Sequence, residues 1–122
     1  MTLPILLIDD NPDACASAAK ILWAWGYQAD VAHDGTTALD MMARKPYALA
    51  IIDYQLPGMN GVELFRRMHQ LRPELIGIFL TGFTTIEVVY PAIEAGILRV
   101  LPKPVDFKEL MPLVEEYVGV PA

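Results

Sequence analysis

The sequence predicts an α/β domain with a five-stranded parallel sheet between layers of helix. Two observations carry this. Short, nearly unbroken apolar runs recur five times, each closed by a turn signal, and segments with apolar residues at helical spacing stand between them. Runs without polar alternation suit strands buried on both faces, as in a parallel sheet. Regular strand–helix alternation implies right-handed crossovers that put helices on both sides.

Ile5-Leu6-Leu7-Ile8 forms the first strand and stops at Asp9-Asp10. Asn11 is placed to cap a helix, with Pro12 at its first position. Ala14, Ala18, Ile21, Leu22 and Trp25 follow on one stripe until Gly26 stops it. A half-alternating strand over 27–32 leads to Asp34-Gly35 and a second helix carrying Ala38, Leu39 and Met42, which ends at Lys45-Pro46. The third strand covers 47–52. Beyond Pro57-Gly58, Asn60-x-x-Glu63 has capping-box form, and a third helix presents Leu64, Phe65, Met68 and Leu71 before Arg72-Pro73. Strand four covers 76–80 and ends at Thr81-Gly82; a helix over about 84–95 stops at Gly96. Strand five covers 97–101 and runs into Pro102-Lys103-Pro104. The last helix, from about Asp106, shows Phe107, Leu110, Met111, Val114, Tyr117 and Val118 on one face. Five such units favour the flavodoxin-like member of the doubly wound class, built as one domain over 1–122. Pro91 and Pro112 fall inside helices four and five, where a proline removes one hydrogen bond and crowds the preceding turn. Helix four is therefore expected to be shortened, restarted at Pro91 or kinked.

Composition narrows the function. A net charge of −6 argues against broad contact with nucleic acid, which demands a Lys/Arg surface. No apolar run reaches the roughly 18 residues of a membrane span. The opening MTLPILLIDD has no basic start and meets two acids too early for a secretory signal. Cys15, without a second cysteine, fits a reducing cytoplasm.

In an open α/β sheet, ligands bind beyond the carboxyl ends of the strands. Four of those ends carry a residue the core does not require: Asp9-Asp10, Asp53, Thr81 and Lys103. Strand two offers nothing comparable. Taken singly, each acid reads as a solvated loop end, or Asp10 as a helix cap. Taken together, three converging carboxylates repel one another, and a hard divalent cation such as Mg²⁺ resolves that repulsion with oxygen ligands. A lysine ammonium and a threonine hydroxyl beside it are what a phosphoryl group needs. An aspartate can itself be the nucleophile that accepts it.

With these residues the chain resembles a response-regulator receiver domain of two-component signalling along essentially its whole length. The resemblance rests on Asp9-Asp10, Asp53 followed by Leu56-Pro57-Gly58-Met59-Asn60-Gly61, Leu80-Thr81-Gly82, and Leu101-Pro102-Lys103-Pro104. It implies that Asp53 is the phosphoacceptor, attacking phosphorus in line. Asp10, Asp53 and the Gln55 carbonyl would ligate Mg²⁺, with Asp9 acting through water. Lys103, re-aimed by a cis Lys103-Pro104 bond, would pair with the phosphoryl oxygens, and Thr81 would move to hydrogen-bond them. Backbone N–H groups near Tyr54 and Gly82 would complete the cradle. The implied donor is a phosphohistidine on a histidine kinase or histidine phosphotransfer protein. The domain would catalyse its own phosphorylation and dephosphorylation rather than ordinary turnover. The switched face around helix four, strand five and helix five would contact a downstream protein, a covalently linked output domain or a second copy in a phosphorylation-dependent homodimer. No output domain is visible within the 122 residues.

The sequence departs from that pattern at Val100, where the family usually has an aromatic switch residue. Gln55 and Phe83 would border the phosphoryl group and influence its hydrolysis. Trp23, off the apolar stripe of helix one, is a candidate contact for the donor protein or a partly buried residue; His33 and His69 read as surface residues and Cys15 as packed. Two other readings stand beside the receiver. A pseudo-receiver would bind a partner without being phosphorylated, and a phosphohydrolase would need a second acid where Gln55 stands.

Overall fold

The computed structural model describes residues 2–82 and 86–121. Its strands are β1 (Ile5–Ile8), β2 (Ala29–Ala32), β3 (Leu49–Asp53), β4 (Ile76–Thr81) and β5 (Arg99–Pro102). The helices are α1 (Pro12–Ala24), α2 (Gly35–Arg44), α3 (Gly61–Leu71), α4 (Ile86–Glu94) and α5 (Phe107–Val118). All five strands pair in parallel in the order 2-1-3-4-5, which is the flavodoxin-like order. The strand order reverses about β1, so the crevice for a ligand lies beyond the carboxyl ends of β1 and β3.

Side-chain alternation explains why the strands read as unbroken apolar runs. Leu6, Ile8, Ala50, Ile52 and Phe79 point to one face and meet Ala38, Met42, Leu64, Phe65, Met68 and Ala92 of α2, α3 and α4. Ile5, Leu7, Leu49, Ile51 and Ile78 point to the other and meet Leu22, Leu110 and Val114 of α1 and α5. At about 25 cal/mol per Å² of apolar surface, this two-sided burial dominates the folding free energy.

Sequence-local chemistry sets the helix ends. Asn11 Oδ1 accepts from the N–H groups of Asp13 and Ala14 at 3.0 and 3.2 Å, a cap worth about 1 kcal/mol. Asp34, Asn60 and Asp106 cap α2, α3 and α5 in the same manner. Gly26 and Gly96, both at φ 96°, close α1 and α4 with paired bonds: Tyr27 N–H to Leu22 O and Gly26 N–H to Trp23 O, then Ile97 N–H to Ala92 O and Gly96 N–H to Ile93 O. That left-handed conformation favours glycine.

Several expectations are corrected. Only half of the capping box forms, because Glu63 turns to Arg67 at 3.0 Å while Asn60 alone caps the helix. Tyr27 is spent on the α1 cap and Ile97 on the α4 cap, so β2 and β5 begin two residues later than predicted. Asp53 and Thr81, read as lying past their strands, are the last ladder residues of β3 and β4. Helix α4 runs through Pro91 with no restart, and α5 runs through Pro112. Each proline stands sixth in its helix, where it removes a single early bond. The predicted start of helix four at Thr84 lies outside the described residues. Among the described residues, no helix is long and apolar enough to cross a membrane.

Candidate functional site

The acids converge at the carboxyl rim of the sheet. Asp9 follows the last residue of β1, its N–H bonded to Ala32 O at 3.1 Å, and its Oδ1 accepts from Asn11 N–H at 3.0 Å. Asp10 is exposed beside it. Asp53 closes β3 and is only 5% exposed. One carboxylate oxygen from each of Asp9, Asp10 and Asp53 lies within 4.8 Å of the others.

Lys103 reaches this cluster from the far side. Its backbone N–H bonds Thr81 O at 2.9 Å, which carries the β4–β5 pairing one residue past β5. The Lys103-Pro104 bond is cis. The ammonium stands 2.9 Å from Asp53 Oδ2 and 3.6 Å from Asp9 Oδ2. Burial works against its charge, but the hydrogen bond and charge of Asp53, joined by Asp9, hold its pKa above the ordinary lysine value. Thr81 is fully buried at the end of β4, on the sheet face shared with Phe79 by strand alternation.

An antiparallel ribbon, Gln55–Leu56 with Met59–Asn60, walls the site beyond β3. Gln55 N–H donates to Asp53 Oδ1 at 3.1 Å. Tyr54 N–H is engaged with Leu80 O at 2.9 Å, so the main-chain donor facing the carboxylate is Gln55 rather than Tyr54. The side chain of Gln55 is exposed. Phe83 lies outside the described residues.

Two neighbours of the site carried no sequence signal for it. Cys15 Sγ donates to Asp9 O at 3.3 Å. Burial, together with the Asp9 charge, pushes its thiol up to about 11, so it is a packed thiol with little thiolate character. His33, just past β2, places Nδ1 3.1 Å from the same Asp9 carbonyl; strand two therefore does contribute to the rim. Both contacts are to a main-chain oxygen, which accepts from any donor and leaves no residue pattern. His69, read as a surface residue, is half-buried and stacks on Phe65 with centroids 5.4 Å apart.

Trp23 is 57% exposed, but its indole N–H bonds Ala29 O, the first residue of β2, at 3.2 Å. It thus sits at the rim opposite the acids, which removes the basis for a donor contact near the site. Val100 is half-buried and packs with the core on the α4 side. A cavity of about 480 Å³ opens beside the acids between α1 and the loop into α5, lined by Asp9, Cys15, Ala18, Lys103, Val105 and Phe107 among others.

The donor set fits a hard divalent cation. Three carboxylates gathered within 4.8 Å are oxygen ligands of the kind Mg²⁺ and Ca²⁺ take. Among the described residues Lys103 is the ammonium paired with them, one cation against three carboxylates.

Known proteins resemble this chain in sequence and fold. The chain is 30% identical over 93% of its length to the transcriptional regulatory protein ZraR of Salmonella typhimurium strain LT2, and it spans about a quarter (26%) of that relative. It superposes at TM-score 0.91 on a CheY-like response regulator receiver domain protein from Methanospirillum hungatei JF-1, 30% identical, covering 97% of this chain and 94% of that one. It also superposes at 0.84, with 26% identity over 89% of this chain and 64% of that one, on a Burkholderia pseudomallei response regulator. That structure holds a phosphorylated aspartic acid, a calcium ion and citrate. A family profile, the response regulator receiver domain, matches residues 5–115. That match covers most of the chain, and the chain belongs to the response regulator receiver domains, which switch by phosphorylation in two-component signalling.

Proposed function

We propose that Asp53 is the phosphoacceptor and that the chain takes a phosphoryl group from a phosphohistidine donor, a histidine kinase or a histidine phosphotransfer protein. The observation that carries this is the Asp53 carboxylate itself. It is 5% exposed, held by Gln55 N–H at 3.1 Å and Lys103 at 2.9 Å, and crowded by two further acids. An acid in that setting is oriented and reachable from the rim alone.

In the proposed reaction one Asp53 oxygen attacks phosphorus, the P–N bond to the donor imidazole breaks, and the imidazole leaves with the electron pair. Lys103 neutralises charge on the phosphoryl oxygens and orients the acceptor, as a preorganised donor. The Thr81 hydroxyl hydrogen-bonds the product. Asp10, Asp53 and the Gln55 carbonyl are the residues we assign to Mg²⁺, with Asp9 acting through water; when bound, the cation compensates the carboxylates and the transferred group. The Burkholderia pseudomallei structure, which holds both a phosphorylated aspartic acid and a calcium ion, supports a divalent cation here. About two negative charges arriving at Asp53 bias the rim toward a second packing, read out by a downstream protein or an output domain. We place the protein in the cytoplasm with its kinase partner.

The test is incubation with acetyl phosphate and Mg²⁺ followed by intact mass. The native protein gains one phosphoryl group, and Asp53→Asn gains none. No gain in the native protein would make it a pseudo-receiver; many turnovers would make it a phosphohydrolase.

A further inference from the structure

The geometry points to Gly61 and Gly35 as positioning residues for the acceptor carboxylate, acting through the ribbon that follows β3. The inference rests on Asp53 as the acceptor.

Gly61 opens α3 and is buried. It has no positive φ, so backbone conformation does not demand glycine there. Space does. A Cβ at 61 would stand 3.0 Å from Tyr54 O, 3.2 Å from Tyr54 Cα and 3.5 Å from Tyr54 C. All three are backbone atoms, which cannot swing aside as a side-chain tip does.

The Tyr54 carbonyl and the Gln55 N–H belong to one peptide unit, and that unit is rigid and planar. Its oxygen rests on Gly61, and its N–H donates to Asp53 Oδ1 at 3.1 Å. A push on the oxygen therefore moves the donor that orients the acceptor. The Gln55 carbonyl, in the next unit, moves with it.

Gly35 seats the other end of the ribbon. It opens α2, also buried, and a Cβ there would meet Met59 Sδ at 2.9 Å. Met59 pairs with Leu56 in the ribbon. Because the atom met is a flexible side-chain end, this seat gives more easily than that of Gly61.

The experiment compares Gly61→Ala, Gly35→Ala, Gly35→Ala/Met59→Ala and a control, Gly77→Ala, which burdens the core at Phe65 away from the rim. Thermal melting reads stability. Exchange of the Gln55 amide in metal-free protein reads the donor directly, and phosphoryl uptake from acetyl phosphate reads its consequence. In Gly61→Ala we expect Gln55 exchange and uptake to change about ten-fold, faster and slower respectively, the size of one lost charge-assisted bond. Gly35→Ala shows the same signs at smaller size, and adding Met59→Ala restores both. Gly77→Ala melts lower yet keeps both per folded molecule. Native Gln55 exchange in Gly61→Ala, or changes that merely track stability across all variants, would overturn the inference. Should Gly61→Ala fail to fold, the Gly35 pair decides it. If the native protein accepts no phosphoryl group, the proposed function fails while Gln55 exchange still tests the seats.

Discussion

Lys103→Met separates charge from packing, because it keeps most of the aliphatic stem and removes the ammonium. That ammonium lies 2.9 Å from Asp53 and 3.6 Å from Asp9. At an effective dielectric of 20 each pair is worth about 5 kcal/mol, and in bulk water about 1 kcal/mol. The lysine side chain is 36% exposed, so solvent screening pulls the net value to about 1–2 kcal/mol. Two consequences of opposite sign follow. The metal-free protein loses roughly that much stability, since three acids are left uncompensated. Divalent cation binding tightens by the same free energy, roughly five- to thirty-fold, because the acids no longer share their charge with the lysine. Phosphoryl uptake falls despite the tighter cation. Denaturant melts, calorimetric titration with Mg²⁺ and intact mass measure the three. The sign with pH is also set: a raised lysine pKa contributes fully below the ordinary 10.5 and is lost as pH rises through the higher folded value, so the two proteins converge in alkali. Unchanged or weaker Mg²⁺ affinity in a folded Lys103→Met protein would refute the electrostatic account of the cluster.

Three other outcomes are expected. Cys15, 3% exposed with its thiol moved from 9.0 to about 11, carries about a hundred-fold less thiolate than an ordinary cysteine at pH 8; iodoacetamide labelling of the native protein should lag the unfolded chain by at least that factor. Asp30 Oδ2 accepts from Lys45 Nζ and Tyr47 OH, each at 2.7 Å. Burial opposes its charge, yet these donors hold its carboxyl below the ordinary 3.8. Its stabilisation is present above that value and lost as pH falls through the lower folded one, so Asp30→Ala costs about 1–3 kcal/mol near neutrality and flattens the acid limb of a stability–pH curve. Gly77→Ala, whose Cβ would sit 2.4 Å from Phe65 Cε1 and 2.8 Å from Ile97 Cδ1, costs about 1–3 kcal/mol by overpacking, visible in a denaturant melt.

How far the sequence could be read depended on whether a residue's task leaves a local trace. Strand β1 matched residue for residue because four apolar side chains between a proline and two acids admit little else. Strand β2 blurred because Tyr27 looks like a strand residue but donates its N–H to Leu22 O and its hydroxyl to Gly119 O. The rim acids and Lys103 were legible because polar residues at strand ends have no place in the core. Asp30, Lys45 and Tyr47 were not, since their meeting joins positions 15 and 17 residues apart across two loops. Gly61 was visible as part of a motif, but its reason is a clash with Tyr54 that only coordinates contain.

Val100 fixes what kind of switch this domain can be. It pairs with Phe79 across β4 and β5 and packs on the α4 side, next in space to the strand that ends in Thr81. Valine has no hydroxyl to place and a stiff χ1, so it cannot swing between buried and exposed positions as an aromatic ring does. Under the proposed function a change at Thr81 passes through packing toward α4, where Ala92 is buried and Tyr90 and Ile93 are 60% and 62% exposed. Amide exchange before and after phosphorylation should therefore change along Ile86–Glu94, which packs through Ala92 on the sheet face of Phe79 and Val100, more than along Phe107–Val118, whose Leu110 and Val114 pack on the opposite face. Equal changes in both helices would show that the signal spreads through the whole face instead of through α4.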